Sequence, residues 1–272
     1  MFAAGVLLLG VTVLWRSSGF QSGSEAASAR PAASTGAPAR RGAVCAPWDG
    51  AEKERALATP WGGSVKVREY GSAGCPGVMM VHGANPSVVW EWERTARELA
   101  RRGMRVLLPN LHSDPATKPS GDAKQVLSLL DLLAIQLRNE TGSSTEPERL
   151  AAPGAESAAD IVVMGKSWGG GQALRYTARR PGAVKSIVLV APMGGGESPT
   201  DWRGRGPAHI PALLLYAKDD ATFSRVREEK ERLLLGVLPQ LRVHSIAIGG
   251  HKVSSEFDPV ISDFVGSKVA RK

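Results

Sequence analysis

A serine stands between two glycines in Gly165-Lys166-Ser167-Trp168-Gly169. The G-x-S-x-G pattern marks a serine held on a sharp strand-to-helix turn, its hydroxyl projecting above a sheet. The flanking glycines lack a Cβ, so neighbouring backbone can come close. A helix that starts at the serine turns its free N–H groups and positive dipole end toward a developing negative charge. A serine hydroxyl is a weak nucleophile until a base takes its proton. His251, in Gly249-Gly250-His251, is the residue type for that work. Asp219 and Asp220 offer carboxylates that can orient an imidazole from its far side. Together these types point to attack on a carbonyl carbon with an acyl-enzyme intermediate. His112, His209 and His244 read as ordinary surface or core histidines.

The pattern has meaning only if the right elements carry it. After residue 60, short apolar runs alternate with amphipathic stretches, the signature of a mostly parallel sheet covered by helices. Val65–Tyr70 alternates like an antiparallel edge strand. Gly77–Val81 is a short strand ending at His82-Gly83-Ala84. A helix is expected next, with Asn85 as cap, Pro86 at its first position, and Val88, Trp92, Ala96 and Leu99 on one face. Gly103 stops it, and Met104–Pro109 is a strand. A helix is expected over Asp122–Asn139, with Val126, Leu130, Leu133 and Leu137 inward, then a polar surface loop over 140–158. Ile161–Met164 is the central strand, and the serine lies where it meets a helix that Pro181-Gly182 halts. Val184–Ala191 and Pro211–Ala217 are buried strands by their continuous apolar runs. The two aspartates close the second of these. A charged helix over Phe223–Leu235 follows, then a strand over Leu241–Ile248, then His251. The last helix, with Ser255 as cap, carries Phe257, Val260, Ile261, Phe264 and Val265 as its apolar stripe.

A nucleophile after the central strand, an acid after a later one and a histidine after the last resemble the α/β-hydrolase superfamily, over about 210 residues. The order Ser167, Asp220, His251 is the order of that superfamily. The resemblance implies an α/β fold with a mostly parallel central sheet flanked by helices. It implies Ser167 as nucleophile, His251 as base and Asp220 as the orienting acid, counted from Ala217, with Asp219 as the alternative. It places the oxyanion hole at the backbone N–H groups of Ala84 and Trp168, and makes the imidazole of His82 no more than a brace for its turn. His82 to Trp90, Leu99-Ala100 with Gly103, Ala191-Pro192 and Leu214-Leu215-Tyr216 are similar to small members related to the CCG1-interacting factor B group. That group carries S-x-S-x-G at the nucleophile, where this chain has G-K-S-W-G. Asn110-Leu111-His112-Ser113-Asp114 also departs from the Asp and Gly-rich run common after that strand. Pro192–Ile210, with Gly194-Gly195-Gly196, is too short for a lid domain, so an open site is expected. Trp90, Trp92 and Trp202 are candidate pocket walls or core residues. The activity implied is a serine hydrolase of the carboxylesterase kind, acting on a small-molecule acyl substrate without metal or organic cofactor. An acyltransferase and a non-catalytic binding module are the alternatives.

The chain has 272 residues, 43% of them hydrophobic, and a formal charge of +8. Residues 1–43 hold four arginines against one glutamate, so +3 lies there and +5 on residues 44–272. The remaining charges are interspersed and form no basic block, which argues against nucleic acid. Phe2–Trp15 is almost wholly apolar but too short for an ordinary membrane-spanning helix. It fits a signal-peptide core, and the Ser, Ala, Gly and Arg that follow have transit-peptide composition. Residues 1–43 are thus expected to be a disordered targeting presequence. A plastid with a two-part presequence is favoured, with secretion or an endomembrane site as alternatives. No stable membrane span is expected in the mature form. Asn139-Glu140-Thr141 is a glycosylation sequon, relevant only in the secretory pathway. Cys45 and Cys75 have no zinc-ligand spacing, and are either a disulfide pair or two separate thiols.

Overall fold

The computed structural model describes residues 45–139, 161–194 and 209–269, all of which fall within one unit, Ala43–Lys272. The targeting segment expected over 1–43 and the surface loop expected over 140–158 lie outside these residues. So do the sequon beyond Asn139, Gly195, Gly196 and Trp202.

The sheet follows from where the chain is apolar on both faces. β3 (Gly77–Val81), β5 (Ile161–Lys166), β6 (Val184–Val190) and β7 (Ala212–Ala217) are buried along nearly their whole length and pair in parallel. Such strands need helices on both sides. β4 (Arg105–Asn110) joins the far side of β3, and β8 (Leu241–Ile246) joins β7. β2 (Ser64–Tyr70) and β1 (Lys53–Ala58) complete the sheet, both antiparallel to their neighbours. The order is β1-β2-β4-β3-β5-β6-β7-β8.

Alternation along each strand divides the core. Met79, Val81 and Val163 face α2 (Ala123–Asn139), α3 (Trp168–Arg179) and Leu234 of α4 (Arg227–Val237). Val78, Met80 and Met164 face Trp92 and Leu99 of α1 (Glu93–Arg101) with its N-terminal flank, and Phe257, Ile261 and Phe264 of α5 (Phe257–Val269). Each large apolar side chain so buried contributes roughly 2 kcal/mol. The fold is the α/β architecture expected, and among the described residues no lid domain stands between β6 and β7.

Several boundaries differ from the sequence reading. β2 is not the edge: β1, unread in the sequence, covers it. Lys53-Glu54-Arg55-Ala56-Leu57-Ala58 is composed mostly of good helix formers, but pairing with β2 overrides propensity. The helix expected from Asn85 is split. The Asn85 side chain accepts from Ser87 N–H and caps a short 3-10 turn, Pro86–Val88, and α1 begins only at Glu93. Trp92, Ala96 and Leu99 are fully buried as expected. The helix expected from Phe223 starts at Arg227, because Asp220 draws the preceding residues into turns. The side chain that caps the turn into α5 is Ser254, accepting from Glu256 N–H, rather than Ser255.

Cys45 and Cys75 form a disulfide, with Cα atoms 5.7 Å apart. It closes a loop that contains β1 and β2.

Candidate active site

Ser167 is the turn between β5 and α3, with φ 52° and ψ −123°, a conformation that costs an L-residue of order 1–3 kcal/mol. The surroundings hold it there. Its N–H donates to Val190 of β6 at 2.9 Å, and its carbonyl accepts from Met193 at 2.8 Å and Gly171 at 3.2 Å. The two flanking glycines are required sterically. A Cβ on Gly165 would strike the Gly169 carbonyl, and one on Gly169 would strike the carbonyls of Val81 and His82. The first contact lets the chain reverse tightly, and the second lets α3 sit against the end of β3. The serine is half-buried, and its hydroxyl has no hydrogen-bond partner among the described residues.

Asp220 and His251 come together after β7 and β8. Asp220 is 1% exposed, and its Oδ2 lies 2.7 Å from His251 Nδ1. Its other oxygen accepts from the N–H groups of Thr222 and Phe223, both at 2.9 Å. The carboxylate accepts only, so Nδ1 carries the ring proton and Nε2 is left as the basic nitrogen. Asp219, the alternative acid, is turned the other way. Its Oδ1 accepts from Gly249 and Gly250 N–H at 2.9 and 2.8 Å, tying down the loop that presents His251. Both adjacent aspartates are therefore occupied, one with the imidazole and one with the backbone before it. The sequence hints at the second role only in that Asp suits turns.

The Ala84 and Trp168 N–H groups have no partner among the described residues. Trp168 opens α3, where a free N–H is inherent in helix geometry. The Ala84 N–H is aimed by His82. The His82 ring is fully buried; Nε2 accepts from Leu111 N–H at 3.0 Å, so Nδ1 must hold the proton and donate to the Gly83 carbonyl at 2.6 Å. Burial lowers its pKa to about 4, keeping it neutral. In a planar trans peptide the C=O and the next N–H point in opposite directions. Fixing the Gly83 carbonyl therefore fixes the Ala84 N–H. His112, read in the sequence as an ordinary core or surface residue, stacks on His82 with centroids 5.3 Å apart. Of the candidate aromatic walls, Trp92 is core, and donates to the Val81 carbonyl at 3.1 Å. Trp90 is half-buried under the Arg68 guanidinium. Among the described residues there is no group of three or more His, Cys, Asp or Glu able to hold a metal, and no helix long and apolar enough to cross a membrane.

Residues 78–254 match the family described as Alpha/beta hydrolase family. No curated protein matches the chain. Solved structures similar to it include a predicted CIB-like hydrolase from Thermoplasma acidophilum, at 19% identity and TM-score 0.59, covering 80% of this chain and 99% of that one. A serine hydrolase from Cycloclasticus zankles is similar at 14% identity and TM-score 0.58, covering 80% and 99%. A dienelactone hydrolase from Anabaena variabilis is similar at 16% identity and TM-score 0.51, covering 80% and 96%. At these identities the likeness is one of fold, and the family and its neighbours together support a hydrolase.

Proposed function

This chain belongs to the alpha/beta hydrolase family, and on that premise we propose that it is a serine hydrolase cleaving an ester or related acyl bond. The observation that carries the proposal is the Asp220–His251 contact of 2.7 Å, built beyond the same ends of the parallel strands as the strained Ser167. His251 Nε2 takes the proton as Ser167 Oγ attacks the carbonyl carbon. Asp220 keeps the productive tautomer and stabilises the imidazolium. The Ala84 and Trp168 N–H groups receive the oxyanion, each worth about 3 kcal/mol. The leaving group departs with the proton from His251, and water repeats the sequence on the acyl-enzyme. With no lid domain among the described residues, the site favours small or exposed acyl groups over long buried chains.

The test is fluorophosphonate labelling of the purified protein beside Ser167→Ala. Labelling of wild type alone is expected. A folded wild type that resists the probe overturns the proposal and favours the binding-module reading. Product analysis with added alcohol or amine separates hydrolysis from acyl transfer. The Cys45–Cys75 disulfide supports residence in an oxidising compartment, and so the secretory or endomembrane alternative for the N-terminal segment.

A further inference from the structure

Next to the nucleophile lies a charged pair that the mechanism above does not use. Lys166, the last residue of β5, is 4% exposed, and its Nζ sits 3.1 Å from Oε2 of Glu91, itself 9% exposed. Burying such a pair gains little stability, because desolvation offsets the attraction. Its value has to lie in what it positions. The second oxygen of Glu91 accepts the Gly83 N–H at 2.9 Å. Both carboxylate oxygens are thus committed, one to the residue before Ser167 and one to the residue before Ala84.

We propose that Glu91 and Lys166 are positioning residues that fix the oxyanion turn relative to the nucleophile. Resting on the serine-hydrolase reading, the proposal follows from the backbone geometry at Gly83. Two peptide planes meet there, and their relative rotation defines its φ and ψ. His82 holds the plane after Gly83 through the carbonyl, and Glu91 holds the plane before it through the N–H. Glycine resists rotation less than any other residue, so the turn needs both holds to keep the Ala84 N–H in one direction. The space is also tight: a Cβ there would lie 3.3 Å from both Glu91 Oε1 and Lys166 Nζ, so the pair would have to give by a few tenths of an ångström. Lys166 carries the register across. It is chain neighbour to Ser167, so a shift of the elbow moves Glu91 and, through it, the turn. Lys166 therefore acts through Glu91 and needs no contact with substrate.

Two double variants test this beside wild type. Glu91→Gln with Lys166→Met removes both charges but keeps an oxygen for the Gly83 N–H. Glu91→Leu with Lys166→Met removes the oxygen too. The readout is the second-order rate of fluorophosphonate labelling of Ser167, with thermal midpoints measured alongside. Glu91→Leu/Lys166→Met is expected to slow labelling roughly 30-fold, less than the 10²–10³-fold cost of deleting a donor outright. Glu91→Gln/Lys166→Met is expected to slow it less than about 5-fold, the acceptor being what the turn needs. A purely structural pair would move both variants alike. Equal rates in all three proteins, or equal losses in both variants, overturn the inference and leave the serine-hydrolase reading standing. An unlabelled wild type overturns that reading and the inference with it. Should the leucine variant fail to fold, amide hydrogen exchange decides. Slow exchange at Gly83 in wild type and in the glutamine variant supports the hold, and exchange as fast as at Asn85 overturns it.

Discussion

Replacing Asp220 by asparagine asks whether this carboxylate sets the histidine tautomer. Aspartate presents an oxygen on both sides: Oδ1 to the Thr222 and Phe223 N–H groups, Oδ2 to His251 Nδ1. Asparagine can present an oxygen on one side only. If its NH₂ faced the turn, the buried Phe223 N–H would lose its acceptor, at roughly 1–3 kcal/mol, and the part-buried Thr222 N–H would lose its own. The oxygen therefore stays with the turn and the NH₂ faces the ring. Nδ1 then has to accept, the proton moves to Nε2, and His251 can no longer take a proton from Ser167. The loss expected in kcat/KM is about 10⁴-fold, the magnitude seen when the orienting aspartate of a serine-protease triad becomes asparagine, or about 5.4 kcal/mol. Asp219→Asn keeps its Oδ1 for Gly249 and Gly250, and should cost less than about 5-fold. The assay is hydrolysis of a short p-nitrophenyl ester by wild type, Asp220→Asn and Asp219→Asn, with folding checked by circular dichroism. If folded Asp220→Asn keeps more than about a hundredth of the activity, or Asp219→Asn falls as far as Asp220→Asn, the tautomer argument is refuted.

Ser167→Gly should be more stable than Ser167→Ala by about 1 kcal/mol, reversing the usual order, because only glycine adopts φ 52° and ψ −123° without strain; an alanine variant as stable in urea would remove the strain argument. The His82 ring should stay neutral down to about pH 4 in an NMR titration, and a midpoint near 6.5 would contradict its burial. Because the unfolded chain binds this proton below about pH 6.5 and the folded one only near 4, its contribution is whole above 6.5 and falls between those values by on the order of 3 kcal/mol. Reducing the disulfide, or replacing both cysteines by serine, frees a loop of 30 residues; that is worth about 3.5 kcal/mol, a fall of roughly 10 °C in Tm, and an unchanged midpoint would show the cross-link to be without effect.

The central strands were legible because they are buried on both faces, and a residue type that avoids water declares itself without context. β1 was not. Its charged, exposed residues become a strand only because β2 offers hydrogen bonds, a partner that local sequence does not contain. The position of Ser167 between strand and helix was readable because its glycines mark the sterics of that junction. Asp219 and Asp220 could not be separated from the residues alone, since both leave the same strand. Which one meets the imidazole depends on where Thr222 and Phe223 aim their N–H groups. The function of the His82 ring was hidden for a similar reason, as its tautomer depends on Leu111, 29 residues away. Glu91 and Lys166 carried a weak signal in retrospect: a lysine in an otherwise apolar strand end needs a counter-charge when buried.

From β5 onward the strands lie side by side in the order in which they are synthesised, β5, β6, β7 and β8. The sheet can therefore grow outward from Ser167 as the chain lengthens, each new strand docking on the one before. Ser167 is placed early in that growth, Asp220 after the third of these strands, and His251 only after the last has reached the edge. On the serine-hydrolase reading the hydroxyl has no base until then, and an unfinished chain carries an inert alcohol. Topology alone would then keep nascent chains from indiscriminate acyl chemistry.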